Sequence, residues 1–435
     1  MPAQESSCRK TSPERSRRID ILLLATVLAV GFFLRLPPAT FDRGGSLHGL
    51  AQIHPQPAYT TLGFDEDLYR VYVEGLSKGG LGAYPQIVDE YIEHQKTLTG
   101  SILPPVRFLY IFAGYVWRSV FGCDAMTALQ QVAAFFSMLT LCFVALFTWR
   151  VRGPLWSLGV TALFAVAPTQ LHMSQHALVD GFFTFWATVV LGLLWENLRR
   201  PNNWRWIIGY LVALALVVLT KENSAFVWFG CVVLILANRW FQFGIVTREL
   251  VIATVLGPLL GVVILVFLAG GVPTLVETYH LSITKNFILE YAIATGDGPW
   301  HRYLVDLLLV SPIVLLLALG TVFRLNREQK PEWFLTIFIA ATYLVMCNLK
   351  YGMNLRYANM WDFPLRLLAF RQLTLFAAIF RRWQNLALGL ALLALCATEF
   401  YQYIALAVNY PLYELVTAHL LRALKILKLA PDIGP

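Results

Sequence analysis

The chain has 435 residues, of which 57% are hydrophobic and only 14% are charged, and its formal net charge is +8. A soluble domain usually carries about 25% charged residues, because its surface has to be hydrated. Together with the mean hydropathy of +0.61, this composition excludes an ordinary soluble enzyme and predicts a protein embedded in the bilayer. The six cysteines stand singly and form no Cys-x-x-Cys pair, so neither a zinc site nor a disulfide framework is indicated.

Long apolar runs follow one another along most of the chain. The first run follows a basic tail, residues 1–18, and has no small-residue cleavage site after it, so we interpret it as an uncleaved membrane helix. A helix needs about 20 mostly apolar residues to cross the hydrocarbon. On this criterion the sequence predicts an all-α polytopic membrane protein with about eleven spans, near residues 19–36, 126–148, 155–172, 180–198, 206–220, 224–240, 249–270, 303–323, 332–348, 364–380 and 385–406.

Basic residues are concentrated in every second connector. Half of the 34 Lys and Arg residues lie in the amino-terminal tail and in the connectors expected on the same side of the membrane. The positive-inside rule therefore predicts a cytoplasmic amino terminus and a multi-pass topology. Most acidic residues then fall on the outer side, where we expect the active site.

The first outer loop, about residues 37–123, is much longer than any other connector, and loops of this length usually have a function. It is predicted to contain two helices, one starting at Asp65 and an amphipathic one from Pro105 to Phe121 that lies in the membrane interface. The segment 410–435 is predicted to be an outer amphipathic tail. Residues 19–409 then form one transmembrane catalytic module.

Three consecutive carboxylates, Asp65, Glu66 and Asp67, come directly outside the first span at the start of a predicted helix. One interpretation is structural: Asp65 caps the helix, and the other two complement the helix dipole. The other is functional: a carboxylate at the membrane surface acts as a general base. Both can hold at once, because a cap would fix the direction of the carboxylate.

A second candidate segment, Pro168 to Asp180, connects two spans on the outer side. His172, His176 and Asp180 are four residues apart and would share one helical face, a spacing that a metal can use. Pro168 and the expected turn argue against one continuous helix, so a divalent metal is the weaker hypothesis and no cofactor is firmly expected. Asp180, at the mouth of a span, is the better functional candidate, since ionisable groups at membrane depth are costly unless used.

Two basic residues stand at other outer helix ends. Lys221 is either a snorkelling lysine in an interfacial ion pair or a point charge for a phosphate. Arg356, followed by Tyr357, offers the forked donor geometry that suits phosphate oxygens. Carboxylates from two outer segments and cations from two others make a set that suits phosphate-ester chemistry at the outer face.

With these motifs in order, the sequence resembles the GT-C superfamily of glycosyltransferases. It is most similar to the dolichyl- or polyprenyl-phosphate-mannose protein mannosyltransferases (glycosyltransferase family 39-like) and the aminoarabinose transferases. The resemblance covers about residues 19–380 and implies a GT-C-like helical bundle. The motifs that carry it are Arg35-Leu36, Asp65-Glu66 with Tyr69, Pro104-Pro105 to Phe121-Gly122, Pro168 with Ser174 and Asp180, Leu219 to Lys221, Tyr303 with Pro312, and Arg356-Tyr357 with Pro364.

The resemblance implies roles for these residues. Asp65 would deprotonate the acceptor hydroxyl in an inverting transfer, with Glu66 and Asp180 as further acids of the site. Lys221 and Arg356 would hold the leaving polyprenyl phosphate. The tyrosines implied to contact substrate or lipid phosphate are Tyr69, Tyr303 and Tyr357.

The sequence departs from the resembling families at the Pro-Pro motif. Relatives often carry a Lys or His directly before Pro-Pro, whereas this chain has Leu103, and Lys96 or His94 are the candidates to replace that charge. Eukaryotic protein mannosyltransferases carry a large lumenal domain that has no counterpart here. This favours a bacterial-type enzyme in the plasma (inner) membrane with its site on the periplasmic face.

The expected partners are a polyprenyl-phosphate-sugar donor, the bilayer, and an acceptor that is a protein, a lipid or a glycan; no nucleic acid is expected. The alternative hypothesis is a polytopic transporter or flippase for a lipid-linked or anionic substrate. Transporters place their binding groups near the bilayer midplane. The candidate residues here stand at outer helix ends, which favours the transferase.

Overall fold

The computed structural model describes residues 13–42, 44, 47–58, 60–61, 63–409 and 418–426, and in this part of the chain all regular structure is helical. The predicted basic tail, residues 1–18, and the predicted tail at 410–435 lie largely outside the described residues. The α-helices are α1 Pro13–Arg35, α2 Phe64–Gly79, α3 Tyr84–Thr97, α4 Phe108–Phe121, α5 Ala125–Arg152, α6 Pro154–Ala165, α7 Pro168–Gln175, α8 Val179–Arg199, α9 Trp204–Thr220, α10 Ser224–Phe241, α11 Arg248–Leu268, α12 Val272–Asn286, α13 Glu290–Thr295, α14 Arg302–Val310, α15 Pro312–Val322, α16 Lys330–Met346, α17 Asp362–Ala377, α18 Gln384–Tyr403 and α19 Ala418–Ala423.

Each predicted apolar run coincides with helix, which confirms the all-α polytopic fold. Five described helices or merged helical stretches are long and apolar enough to cross a membrane by length and composition, or six if a bent pair counts as one span. Their side chains facing lipid remain exposed, as on α11, where Val255, Leu259 and Phe267 point outward. An apolar exterior of this kind is expected where hydrocarbon replaces water.

Two predicted spans are wrong as continuous helices. The run at 155–172 divides into α6 and α7, which meet at 58°. The run at 303–323 divides at Ser311 into α14 and α15. In both cases a proline, Pro168 or Pro312, stands at the start of the second helix, where its missing amide hydrogen costs least.

The break between α6 and α7 is stabilised by Arg35 at the end of α1. Its guanidinium is fully buried and donates to the carbonyls of Phe164 (2.9 Å) and Ala165 (2.8 Å). It also donates to Ser137 Oγ on α5 (3.0 Å). Carbonyls left free at a helix end inside a membrane are costly. Arg35 satisfies these carbonyls at the end of α6 and thereby stabilises the break after which α7 begins.

The first outer loop contains three α-helices rather than the predicted two. The additional helix, α3, lies between α2 and α4 and buries Tyr84, Tyr91 and Ile92 against a separate hydrophobic core. Its sequence pattern is weak, because the exposed face is densely charged and the buried face mixes two tyrosines and Gln95 with only three aliphatic residues. The helix predicted at 105–121 is confirmed as α4, which begins at Phe108.

The connectors predicted to face the cytoplasm lie together at one end of the bundle. Arg152, after α5, pairs with Glu332 on α16. Lys330 donates to the carbonyl of Gln242 after α10 (2.6 Å). The candidate site residues instead contact one another, through the segments around α2, α8 and the α9–α10 turn. The helical bundle therefore has a basic end and, separate from it, an end that carries the candidate site.

Candidate active site

The first turn of α2 presents Asp65 to the site. Its N-cap is Gly63, whose φ of +85° favours glycine, and Asp65 is the second residue of the helix. The hypothesis that Asp65 caps the helix is therefore wrong. Its carboxylate, 16% exposed, instead accepts a hydrogen bond from Arg356 Nη1 at 3.1 Å. The adjacent Asp67 points away, with its side chain 58% exposed and paired to Arg70.

Glu66 has a different environment from its neighbour Asp65. It is fully buried, and its carboxylate accepts the backbone N–H of Ala177 at 2.6 Å. Its Oε1 also lies 3.7 Å from His176 Nδ1. Glu66 thus joins the start of α2 to the connector that leads into α8, and this contact fixes Asp65 relative to Asp180.

Asp180 lies at the centre of the predicted set. Its Oδ1 accepts a hydrogen bond from Lys221 Nζ at 2.5 Å, and its Oδ2 lies 3.9 Å from Arg356 Nη1. Asn359 Nδ2 donates to the backbone carbonyl of Asp180 at 2.9 Å. Arg356 therefore stands between two carboxylates, Asp65 and Asp180. Four residues predicted from separate segments of the sequence meet here in one chain of contacts.

The histidines preceding Asp180 do not share a helical face with it. Helix α7 ends at Gln175, His176 is extended, and α8 begins at Val179. The predicted i, i+4, i+8 metal face is therefore wrong. No group of three or more potential metal-ligating His, Cys, Asp or Glu side chains occurs within the part of the chain that the structure describes.

Two predicted tyrosines lie at the 3₁₀ segment Leu355–Trp361, one within it and one behind it. The ring of Tyr357 lies 4.0 Å from Lys221 Nζ, a cation–π contact. Tyr303 is fully buried behind the segment, where its hydroxyl accepts the backbone N–H of Asn354 at 3.3 Å. Asn354 in turn caps the segment by accepting the N–H of Arg356. Tyr303 thus supports the turn that presents Arg356.

The structure adds two charged residues that the sequence argument did not assign to the site, Arg107 and Glu222. The Arg107 guanidinium binds the Glu222 carboxylate in a forked arrangement, with Nε to Oε2 at 3.1 Å. Its Nη1 donates to the hydroxyl of Tyr69 at 2.6 Å, which brings that predicted tyrosine to the site. The available signal was the position of Arg107, two residues after Pro104-Pro105.

The segment before Arg107 is held by tyrosine hydroxyls. Tyr72 on α2 donates to the carbonyl of Leu103 at 2.6 Å, and Tyr84 on α3 donates to the carbonyl of Pro105 at 2.6 Å. The backbone around the two prolines is thereby fixed. As a result, Arg107 enters the site in a determined direction.

The candidates proposed to replace the missing charge before Pro-Pro lie elsewhere. Lys96 is on the exposed side of α3, where it pairs with Glu93 (3.1 Å) and Glu277 (3.9 Å). His94 is on the same exposed side. Arg107, rather than either of these two residues, contacts a predicted site residue, Tyr69.

Charge and burial shift the titration of the groups in the α9–α10 turn. Burial lowers the pKa of Lys221 below its ordinary value, and the opposing effect of Asp180 does not fully restore it. For Glu222, the partial loss of water around the carboxylate would raise the pKa, but Arg107 and Lys221 outweigh this and the pKa is lowered. Glu222 is therefore an anion at neutral pH, matched to the cation beside it.

Residues 110–283 match the model of the dolichyl-phosphate-mannose-protein mannosyltransferase family. No curated protein was found to match the chain by sequence. The matched segment contains Asp180, Lys221 and Glu222, whereas Asp65, Arg107 and Arg356 lie outside it.

Solved structures of two membrane enzymes resemble the fold. An oligosaccharyltransferase of Archaeoglobus fulgidus in the apo form matches 91% of this chain with a TM-score of 0.59 and 13% identity, and this match covers 56% of that longer chain. ArnT from Cupriavidus metallidurans, bound to undecaprenyl phosphate, matches 91% of this chain and 76% of its own with a TM-score of 0.50 and 15% identity. At these identities the likeness establishes a shared fold.

The partial family match and the shared fold make the chain similar to one class of enzymes, the polytopic membrane glycosyltransferases of the GT-C superfamily. Within that class, the chain resembles the dolichyl-phosphate-mannose-protein mannosyltransferases over residues 110–283. The resemblance predicted from the ordered motifs is thereby confirmed.

Proposed function

We propose that this protein transfers a sugar from a polyprenyl-phosphate-linked donor to an acceptor hydroxyl, with inversion at the anomeric carbon. Asp65 is the general base in this proposal. Asp180 is the second carboxylate of the site, Lys221 and Arg356 bind the phosphate, and Tyr357 and Tyr69 flank it. Glu66 is buried and accepts the backbone N–H of Ala177, and its role in this proposal is to position Asp65.

One observation carries the proposal: Asp65, Arg356, Asp180 and Lys221 form a continuous chain of contacts, with separations from 2.5 to 3.9 Å. Asp65 is at one end of this chain and Lys221 at the other. An inverting displacement needs a base on the acceptor side and positive charge on the leaving side. The two ends of the chain meet those two requirements.

The reaction can be written with these residues. Asp65 takes the proton of the acceptor hydroxyl as its oxygen attacks the anomeric carbon. The bond from that carbon to the phosphate oxygen breaks, and the electron pair stays on the phosphate. Lys221 and Arg356 stabilise the negative charge that the lipid phosphate gains, which is where preorganised cations lower a barrier most.

The membrane setting of the proposal follows from charge. The connectors around Arg152 and Lys330, which meet at one end of the bundle, carry the excess of basic residues expected on the cytoplasmic side. We therefore propose that the site faces the periplasm and that the amino terminus is cytoplasmic, in a bacterial-type inner membrane. A polyprenyl chain would then lie in the bilayer while its phosphate reaches the site.

The likeness to solved structures agrees with a lipid-phosphate donor. ArnT from Cupriavidus metallidurans is bound to undecaprenyl phosphate in its structure. An oligosaccharyltransferase of Archaeoglobus fulgidus, AglB, is in complex with an inhibitory peptide and a dolichol-phosphate. Applied to this chain, these ligands support a polyprenyl phosphate as the leaving group and leave protein, lipid and glycan hydroxyls open as acceptors.

The test is donor turnover in membranes that contain the wild-type protein or Asp65→Asn. Each receives polyprenyl-monophosphate sugars labelled in the sugar, together with native acceptors. Loss of the base is expected to lower turnover by about 10²- to 10⁴-fold. Asp67→Asn is the matched control, because Asp67 lies in the same helical turn but is exposed and paired with Arg70.

Consumption of one donor by wild type and Asp67→Asn, but not by Asp65→Asn, supports the proposal, and the labelled product identifies the acceptor. Wild-type turnover in Asp65→Asn would remove Asp65 from the mechanism. If folded wild-type protein consumes no donor, and vesicles instead show flux of the lipid-linked sugar that is insensitive to Asp65→Asn, the transporter hypothesis replaces this one.

A further inference from the structure

The turn between α9 and α10 holds two adjacent charged residues with different partners. Lys221 contacts Asp180, whereas Glu222 contacts Arg107 from the first outer loop. The side chain of Glu222 is 40% exposed, and that of Arg107 is only 7% exposed. Glu222 is thus the partner with access to water, and Arg107 is the partner that the fold encloses.

Arg107 keeps its position without help from Glu222. Its Nη1 is bonded to the buried Tyr69 hydroxyl, and the backbone before it is held by Tyr72 and Tyr84. A guanidinium that is fixed in this way retains its forked donor geometry if the carboxylate leaves. The same fork binds either a carboxylate or a phosphate.

In the described ranges of the chain, the site has no cation that lacks a carboxylate partner and could bind an additional anion. Each of the cations Arg107, Lys221 and Arg356 contacts one of three carboxylates, those of Asp65, Asp180 and Glu222, while the fourth carboxylate, that of Glu66, accepts the Ala177 N–H. A phosphate that entered without any rearrangement would leave the site net negative. One carboxylate must therefore release its cation when a phosphate binds, since unpaired like charges in a desolvated site are strongly unfavourable.

Glu222 is the carboxylate that can leave. The Asp180 side chain is 4% exposed and contacts two cations, and Asp65 is 16% exposed and lies on the acceptor side. Glu222 belongs to a three-residue turn and can rotate into water. Once hydrated there, the carboxylate no longer needs a protein cation.

An amide donor in the same turn is unpaired. Asn223 is 4% exposed, and its Nδ2 has no hydrogen-bond partner among the residues that the structure describes. A buried donor without an acceptor is costly. Asn223 directly follows Glu222 in the chain, so the same turn holds both the exposed carboxylate and this unpaired donor.

We propose that Arg107 is a further ligand for the phosphate of the lipid-linked donor, and that Glu222 is an internal anion which this phosphate displaces. The inference rests on the proposed function and deepens it. The exchange is neutral, because the donor phosphodiester brings one negative charge and Glu222 takes one away. After transfer the lipid phosphate monoester carries a second negative charge and binds Arg107 more strongly, and the return of Glu222 promotes its release.

The test is equilibrium binding of undecaprenyl phosphate to the full chain in lipid nanodiscs, with uncharged undecaprenol as the probe for the lipid tail. Glu222→Gln is expected to lower the Kd of the phosphate about tenfold, because a competing charge-assisted contact is lost. Binding of undecaprenol is expected to stay unchanged. Arg107→Gln is expected to raise the Kd about tenfold or more, for the same reason.

The double variant Arg107→Gln, Glu222→Gln separates the two residues, since Glu222→Gln should have no effect once Arg107 is absent. Glu277→Gln is the matched control: Glu277 is an outer carboxylate, 44% exposed, that faces Lys96 rather than the site. If Glu222→Gln does not fold, Glu222→Asp retains the charge but withdraws it by one methylene, and an intermediate gain in affinity is expected.

Unchanged or weaker phosphate binding in a folded Glu222→Gln protein would overturn this inference. If Lys221→Gln still weakened binding in that experiment, the proposed function would stand, and the Arg107–Glu222 pair would be a structural tie. If wild type did not prefer undecaprenyl phosphate over undecaprenol, the proposed donor itself would be wrong, and this inference would fall with it.

Discussion

Among the residues that the structure describes, two clusters of charged side chains can be compared. The outer cluster consists of Asp65, Arg107, Asp180, Lys221, Glu222 and Arg356. The span cluster lies between α17 and α18, where Arg366 donates to Asp362 (2.8 Å) and to Glu399 (2.7 Å). Both clusters pair cations with carboxylates at hydrogen-bonding distance. They differ in how much water reaches them and in how many loops supply their members.

In the span cluster, the side chains of Asp362, Arg366 and Glu399 are at most 6% exposed, and neighbouring groups complete the network. Ser311, at the break between α14 and α15, donates to Glu399, and Gln170 donates to Asp362. Backbone carbonyls add to the network, since Gln170 also donates to Asn359 (3.3 Å) and Arg366 to Leu163 (3.1 Å). The cluster therefore joins both broken spans to α17 and α18, and we interpret it as structural.

In the outer cluster, the members come from loops and helix ends, and Glu222 is substantially exposed. Water has a high dielectric constant, so the free-energy cost of separating a charge from its partner is lower there. Close ion pairs alone therefore do not indicate a functional site. The additional requirement is that a ligand can replace one of the partners.

The largest effect on folding is expected from breaking the span cluster. Arg366→Met leaves Asp362 and Glu399 as unpaired buried carboxylates and should lower the free energy of unfolding by about 3–5 kcal/mol. Denaturant unfolding of the protein in lipid or detergent measures it. Lys221→Gln should lower the free energy of unfolding by less, because Arg356 remains 3.9 Å from Asp180. The same variant is expected to lose phosphate binding.

The double variant Arg366→Met, Glu399→Leu tests the same point from the other direction. Replacing Arg366 and Glu399 together by apolar residues should recover part of the lost stability, since the buried charge of Glu399 is then removed and only that of Asp362 remains. If Lys221→Gln destabilised the protein as much as Arg366→Met, the contrast between a ligand-exchanging cluster and a structural one would be lost.

A second prediction concerns the pH dependence of the outer cluster. Burial lowers the pKa of Lys221 below the ordinary lysine value, so its positive charge is lost earlier as the pH rises. Above about pH 8 a phosphate monoester is already fully ionised. The affinity for undecaprenyl phosphate should therefore fall with rising pH, with a midpoint below the ordinary lysine pKa.

Lys221→Arg is the matched variant for this measurement, because arginine keeps its charge throughout the range. Its binding curve should lose the alkaline decline seen in wild type. An identical decline in both proteins would assign the titration to another group and would detach Lys221 from phosphate binding.

The smallest effect is expected for an exposed ion pair near the site. Arg70 and Glu74 on α2 are 2.9 Å apart, and both side chains are more than one third exposed. Glu74→Gln should change the free energy of unfolding by about 1 kcal/mol or less, with normal donor turnover. A loss of turnover in this variant would extend the functional surface along α2.

Much of the candidate site could be predicted from the sequence because charges at the ends of apolar runs are conspicuous. Asp65, Asp180, Lys221 and Arg356 all stand at predicted outer helix ends, and the structure brings them together. The pattern does not indicate Arg107, because this residue lies at the start of the amphipathic helix that the sequence predicts in the membrane interface. Glu222 stands beside Lys221 in the sequence, but nothing in the pattern indicates its pairing with Arg107.

Local sequence is enough to predict the membrane character and the positions of the apolar helices, apart from the breaks between α6 and α7 and at Ser311. These properties follow from local hydrophobicity and local charge, since each span must satisfy its own backbone hydrogen bonds in lipid. Which charges contact one another depends on the tertiary fold. Arg107 and Glu222 are far apart in the chain, and their pairing depends on how tyrosines of α2 and α3 hold the segment directly before Arg107. Contacts of this kind arise from packing, which no periodicity in the sequence encodes.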